Sequence, residues 1–361
     1  MKKVLLLTDV NFWEDSSGHR ARIKALIRYL SSRVCLTVIN TGPAPESITG
    51  LLKEKYGAEF FVLENTKILS SAGYGRRLKK LLGDREFDSV IIEYIHSSYF
   101  LNYLNGDPQI ILDAHDIISD RAEEFKKFNY AGALYEIPKE TEFEILEVYD
   151  HVMVLCAPDH EKLAQVFGRE KILLCPHPVA SVHHHMRREV KKISYVASAY
   201  IPNRDAINEF ITRCWPLISE EFPEVRLCIY GTICGAVAMQ GFDNIMLKGF
   251  VPSLDHIYKE ADIVINPIRF GAGLKIKNVE ALAYGVPLVT TAHGARGLER
   301  GKNNAFLVAD GPTAFVNAVK YLISNKNRRQ ALSDSAHTFI AETFSEKMCF
   351  EPLIKILTKG Q

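Results

Sequence analysis

Two doubly wound α/β domains in tandem are the fold that this sequence predicts, on three observations. From Val4 onward, short β-branched or leucine-rich runs alternate with longer helical patterns, the signature of βα units around parallel sheets covered on both faces. The alternation lapses once, in the proline- and histidine-rich passage Cys175-Pro-His-Pro-Val-Ala-Ser-Val-His-His-His-Met-Arg-Arg188, and resumes at Lys192. A chain of 361 residues with 47% hydrophobic and 24% charged residues is long enough to build a core on each side of that lapse.

The first element, Met1-Lys-Lys-Val-Leu-Leu-Leu-Thr-Asp9, is read as a strand, because its apolar run stops too soon for a signal peptide or a spanning helix. A helix follows Ser16-Ser-Gly18, since Ile23, Leu26, Ile27 and Leu30 recur at helical spacing. Further strands are expected at 34–40, 59–63, 88–95, 109–113, 151–155 and 171–174, with charged helices at 119–129 and 138–148. The basic amphipathic stretch Gly73-Tyr-Gly-Arg-Arg-Leu-Lys-Lys-Leu-Leu82 reads as a solvated helix face, or as a surface for anionic lipid or a lipid-diphosphate acceptor. The second series has a helix from about 204 to 219, strands at 225–230 and 244–248, and a helix at 253–261. It closes with a strand at 305–308 and helices at 313–322, 327–343 and 345–357. The expected division is 1–185, 186–343, and a C-terminal helix over 344–361 that packs back toward the first domain.

Composition narrows the partners. A net charge of +1 gives no reason to expect nucleic acid. Seven cysteines are scattered singly without CxxC spacing, which fits buried reduced thiols in a cytoplasmic protein. His183, His184 and His185 invite a metal reading, but three adjacent histidines in one linker cannot easily face one ion, and no metal is assigned.

The most informative segment runs Asn266-Pro-Ile-Arg-Phe-Gly-Ala-Gly-Leu-Lys-Ile-Lys-Asn-Val-Glu-Ala-Leu-Ala-Tyr-Gly-Val-Pro-Leu-Val-Thr-Thr291. An apolar strand ends in a glycine-bearing turn, and a helix is expected to start near Gly273. Unpaired N–H groups and the helix dipole make such a start an anion site. Lys275 adds positive charge there, and Glu280 lies deeper, where a carboxylate can accept from a sugar diol. Gly285 ends the helix and a new strand begins.

Four stretches resemble the GT-B glycosyltransferases, and more narrowly the retaining group 1 enzymes, numbered four in the sugar-transferase classification. They are Leu112-Asp-Ala-His-Asp-Ile117, Ile193-Ser-Tyr-Val-Ala-Ser-Ala-Tyr-Ile-Pro-Asn-Arg-Asp-Ala206, Leu247-Lys-Gly-Phe-Val-Pro-Ser-Leu254 and Gly271-Ala-Gly-Leu-Lys-Ile-Lys-Asn-Val-Glu-Ala-Leu-Ala-Tyr-Gly-Val-Pro287, in family order. The resemblance implies two Rossmann-like domains facing a cleft. It implies that Glu280 grips the nucleotide ribose, that Gly271, Gly273, Leu274 and Lys275 clamp the diphosphate, and that Arg204 supports it. Phe250 and Val251 correspond to the base-side loop, and His115 to the histidine that points at the transferring sugar. Asp15, Ser17, Gly18 and His96 fall on the acceptor side. His115 has a second reading, a core histidine paired with Asp113 or Asp116. Ala272 stands where the family commonly has an acid, eight positions before Glu280, so the donor sugar does not carry over.

Positive charge at the diphosphate stabilises the leaving group as the anomeric bond breaks, and removing one such group costs about 3–4 kcal/mol elsewhere. Replacement of Lys275 or Arg204 is therefore expected to cost about a hundredfold or more in rate. The function expected is a retaining, metal-independent transferase moving a sugar from a nucleotide-sugar co-substrate, UDP-linked in preference to GDP-linked, to a hydroxyl acceptor that is a carbohydrate, a lipid-linked molecule or a protein. No further cofactor is expected. The expected location is cytoplasmic, with peripheral contact on the inner membrane surface. A nucleotide-sugar 2-epimerase of the same architecture and a catalytically idle binding subunit are the alternatives.

Overall fold

A computed structural model describes residues 1–14, 18–45, 47–63, 70–183, 186–238, 241, 243–251 and 253–359. The chain divides into two compact units, Met1–His177 together with Glu346–Gln361, and Pro178–Ser345.

Unit 1 alternates strands and helices in the order β1 (Lys3–Thr8), α1 (Gly18–Ser31), β2 (Cys35–Asn40), α2 (Ile48–Tyr56), β3 (Glu59–Val62), α3 (Ser71–Leu82) and β4 (Ser89–Glu93). A 3-10 segment, Ile95–Tyr103, leads to β5 (Gln109–Asp113), followed by α4 (Ile118–Lys127), α5 (Lys139–Val148), β6 (His151–Val154), α6 (Ala157–Phe167) and β7 (Ile172–Leu174). Its strands pair in parallel in the order β3-β2-β1-β4-β5-β6-β7. Leu5, Leu7, Val90, Ile92, Leu112 and Val152 lie on the central strands and are fully buried, which is why these runs read as continuously apolar.

Unit 2 repeats the plan with β8 (Lys192–Val196), α7 (Ile201–Arg213), α8 (Trp215–Glu221), β9 (Arg226–Tyr230), β10 (Ile245–Gly249), α9 (Leu254–Glu260), β11 (Ile263–Asn266), α10 (Ile276–Ala283), β12 (Leu288–Thr290), β13 (Leu307–Val308), α11 (Pro312–Ser324) and α12 (Lys326–Thr343). Short 3-10 turns cover Thr232–Ala236 and Glu299–Gly301. The parallel order is β10-β9-β8-β11-β12-β13. Its core includes Ile193, Tyr195, Phe210, Trp215, Ile229 and Ile265. The last helix, α13 (Glu346–Leu357), belongs to unit 1, where Phe350 packs on Tyr29 of α1 with ring centroids 5.2 Å apart.

Two differences from the expected elements have simple causes. The helix expected over 204–219 is two helices, because Pro216 lacks an N–H and its ring opposes the carbonyl four residues back, so the chain turns at Cys214. Helix α10 begins at Ile276 rather than near Gly273, because Gly271 and Gly273 hold φ values of 109° and 67°, outside the helical region.

In each sheet the strand order reverses once, between β1 and β4 in unit 1 and between β8 and β11 in unit 2. Loops leaving the carboxyl ends of strands on either side of a reversal diverge and leave a crevice, the usual ligand position in open α/β sheets. Among the described residues, no helix is long and apolar enough to cross a membrane.

Candidate functional site

At the reversal in unit 2, the turn after β11 is held from three directions. Asn266, at the end of β11, donates to Asn278 of α10 at 2.8 Å, and Asn278 donates to Gly294 O at 2.8 Å and to Thr290 Oγ1 of β12 at 3.3 Å. His293 donates from Nε2 to Gly271 O at 2.6 Å. A Cβ at Gly271 would meet the Pro202 ring of α7 at an ordinary contact distance of 3.5 Å, so the φ of 109°, rather than the space, is what favours glycine here.

Lys275 lies immediately before the first helical residue and is buried. Its ammonium donates back to Gly273 O at 2.9 Å and Ala272 O at 3.1 Å. It thus closes the turn on itself. Leu274 is buried beside it. On the first turn of α10, Lys277 donates to Asn203 Oδ1 of α7 at 2.8 Å and lies over the Tyr195 ring, 4.7 Å from its centroid. Burial pushes the Lys277 amine down to about 7, the Lys275 charge pushes the same way, and Glu280 partly opposes both. Glu280 accepts from the buried Tyr258 hydroxyl at 3.1 Å. Burial raises its carboxyl to about 7, against the Tyr258 hydrogen bond and the Lys277 charge.

Arg204 is exposed on the first turn of α7. Phe250, just after β10, is also exposed, at 57%, and follows Gly249 in left-handed conformation, whereas Val251 is partly buried against the cluster of Cys228, Tyr230 and Ile257. Arg269 of the β11 turn is held by Asp205, at 2.7 Å, and by Glu209, both on α7.

At the reversal in unit 1, buried charges form a chain. Arg22 of α1 is fully buried and donates to both Asp113 oxygens, at 2.8 and 2.9 Å, and to Cys175 O and Pro176 O at 2.8 and 3.1 Å. His115, two residues beyond β5, has Nε2 2.7 Å from Glu93 at the end of β4 and 3.8 Å from Asp113. Burial disfavours the imidazolium, but the charge of Asp113 and the bond to Glu93 outweigh it, and the net effect raises the His115 pKa. Burial and the Asp113 charge raise that of Glu93. Tyr94 stacks on His115 at 4.3 Å and on His96 at 5.5 Å, and His96 bonds Asp9 at 2.9 Å. Tyr94 and His115 both hold positive φ, 64° and 62°, a strained state for such residues that the stack and the hydrogen bonds maintain.

Glu93, Asp113 and His115 bring ligand atoms within 4.8 Å of one another, as a metal site would. Both Asp113 oxygens already accept from Arg22, which makes the group a charge-paired network rather than an open ligand set.

The 271–275 turn, Glu280, Arg204, Phe250 and Val251 therefore all lie in unit 2, and His115 and His96 are joined through Tyr94 in unit 1. Gly18 is the first residue of α1, while Asp15 and Ser17 lie outside the described residues, as do His184 and His185. The His183 ring lies tilted against that of His337, centroids 5.4 Å apart, and all seven cysteines are free. Asp116 pairs with Arg121, so the carboxylates near the His115 ring are Glu93 and Asp113. Sequence reading did not single out Arg22, Glu93, Tyr258, Lys277 or His293. Of these, Lys277 carried a signal: a second lysine on the same helix start.

Residues 190–325 match the sequence model of the family described as Glycosyl transferases group 1. This stretch is similar to group 1 glycosyltransferase domains. Over its whole length the chain has the GT-B fold of solved glycosyltransferases. A Staphylococcus aureus TarM variant, solved with fondaparinux, alpha-GlcNAc-glycerol and UDP, is similar with a TM-score of 0.74 at 12% identity, covering 99% of this chain and 100% of that one. Anabaena HepE in complex with UDP and glucose gives 0.71 at 12% identity, with the same coverage. WaaG, a glycosyltransferase involved in lipopolysaccharide biosynthesis, gives 0.67 at 12% identity, again over 99% and 100%. A Klebsiella pneumoniae protein described as an uncharacterized 44.6 kDa protein in the cps region is 21% identical over 299 residues, 77% of this chain and 76% of that one. The group 1 match spans β8 to α11 and so contains the 271–275 turn, Lys277 and Glu280.

Proposed function

We propose that this glycosyltransferase moves a sugar from a nucleoside-diphosphate donor, UDP-linked in preference to GDP-linked, to a hydroxyl acceptor, with retention and without a bound metal. The observation that carries this reading is the start of α10, where open backbone N–H groups and cationic side chains lie about one turn from a half-buried carboxylate. Glu280 takes the ribose hydroxyls. The 271–275 turn and Arg204 hold the diphosphate, and Phe250 with Val251 lies against the base. TarM and HepE, each solved with UDP, support a uridine donor. Positive groups preorganised at the leaving diphosphate lower the barrier to anomeric bond cleavage. The 267–275 segment carries no carboxylate to hold a bridging metal, which supports charge stabilisation by the protein alone.

In unit 1, His115 faces the transferring sugar, and Glu93 and the Tyr94 stack fix its ring. Asp15, Ser17, Gly18 and His96 line the acceptor side. The acceptor is a carbohydrate, a lipid-linked molecule or a protein in glycan or glycoconjugate synthesis. The location is cytoplasmic, with the basic face of α3 available to the inner membrane surface. The test is incubation with a panel of UDP- and GDP-sugars, following donor loss with and without acceptors. Slow hydrolysis or transfer that disappears in Glu280→Ala is expected. Absence of both, with Glu280→Ala unchanged from the parent in nucleotide binding, would sink the reading.

A further inference from the structure

We propose that Lys277, rather than Lys275, is the cation at the start of α10 that meets the donor diphosphate alongside Arg204, and that it gains a proton from solvent as the diphosphate arrives. This rests on the nucleotide reading of unit 2 and assigns that site a residue and a proton inventory it did not have.

The assignment follows from where each cation near the site points. Lys275 is turned back onto the carbonyls of Ala272 and Gly273, and those bonds shape the turn. Arg269 is held by two carboxylates of α7. Arg204 is exposed. Lys277 differs from all three. It stands between the first turns of α7 and α10, the positive ends of two helix dipoles, and its hydrogen-bond partner is a neutral amide oxygen. That amide is itself oriented, because Asn203 Nδ2 donates to Ser198 O at 3.1 Å, which keeps Oδ1 toward the amine. The Tyr195 ring forms the floor, and the Tyr195 hydroxyl is tied to Asn203 O at 3.0 Å.

The charged groups facing Lys277 are Lys275 and Glu280, both at the same helix start. Lys275 repels a second positive charge, and Glu280 is held by Tyr258 rather than by Lys277. An amine so placed is close to losing its proton at neutral pH, in agreement with a value of about 7. A diphosphate supplies the missing counter-charge. It raises the amine pKa, the amine takes one proton from water, and the resulting ammonium–phosphate hydrogen bond is of the strong, charge-assisted kind.

The test is calorimetric titration of the whole chain with UDP and with GDP at pH 8, in buffers of different ionisation enthalpy, for the parent, Lys277→Met, Lys277→Arg and Lys275→Met. The parent should bind at least one nucleotide with uptake of about one proton. Lys277→Met should lose about tenfold or more in affinity together with the uptake. Lys277→Arg, whose guanidinium stays charged, should keep most of the affinity and take up no proton. Lys275→Met removes one of the two causes that depress the Lys277 amine, so it should keep a reduced uptake, the larger cause, burial, remaining. Binding by the parent with uptake unchanged in Lys277→Arg and Lys277→Met overturns the assignment and leaves the nucleotide reading standing. No binding of either nucleotide by the parent overturns both.

Discussion

The two strand-order reversals of this protein handle buried charge in opposite ways. In unit 1 the buried charges of the network stand in pairs, Arg22 on Asp113 and His115 on Glu93, with Glu93 Oε1 the oxygen left without a hydrogen bond. In unit 2, Lys277 has a neutral amide and a ring, and Glu280 has a neutral phenol. A self-neutralised network costs desolvation and returns geometry, because its members have one arrangement in which all are satisfied. Two opposite charges that feel each other but spend their hydrogen bonds on neutral groups keep their capacity for a ligand. The first arrangement suits aiming a side chain, and the second suits binding a polyanion.

The largest effect should come from breaking the satisfied network. Asp113→Ala leaves the fully buried Arg22 guanidinium without its carboxylate partner, a change expected to cost about 3–5 kcal/mol of stability. Urea unfolding followed by circular dichroism measures it. A loss below about 1 kcal/mol would show that unit 1 does not depend on this pair.

Glu280→Gln removes a charged acceptor from the ligand site and should weaken UDP binding about ten- to hundredfold, with little change in melting temperature. Its pH dependence sharpens the contrast. Glu280 is raised to about 7, so affinity that needs its carboxylate is lost as pH falls through that value. Lys277 is lowered to about 7, so affinity that needs its ammonium weakens as pH rises through that value. UDP affinity should therefore be bell-shaped around neutrality, with the acid limb absent in Glu280→Gln and the alkaline limb absent in Lys277→Arg. A flat profile in the parent would contradict both assignments.

Glu93→Gln should move the His115 titration downward. The negative partner that helps hold the pKa up is gone, while the burial that depresses it remains. Nitrogen-15 spectra of labelled histidines report this without any substrate. Phe250→Ala should have the smallest effect, about two- to tenfold on nucleotide affinity and almost none on stability, because its ring is exposed in the free protein. Equal affinities for Phe250→Ala and the parent would remove the ring from the base site.

Strand positions were legible in the sequence to within one or two residues, because buried parallel strands must be written in β-branched and leucine-rich runs. The 271–275 turn was legible for a related reason: glycine spacing and a following helix leave few alternatives. The charge network of unit 1 was not. Arg22 sits in α1 among ordinary helix-forming residues, and its partner Asp113 lies 91 positions away, a separation at which no local pattern survives. Glu93 reads as the last residue of an apolar strand, and its meeting with His115 depends on β4 and β5 pairing in register, Glu93 beside Asp113. Lys277 was visible, but the direction of a lysine amine depends on the opposing helix rather than on its own spacing.

The ladder of Asn266, Asn278, Thr290 and Gly294 beneath the nucleotide turn contains only amides, a hydroxyl and a carbonyl. None of these changes charge between pH 4 and 10. The strand-to-helix footing beneath the turn is thus indifferent to acidity, and a shift of pH should alter what the site attracts while leaving this ladder unchanged.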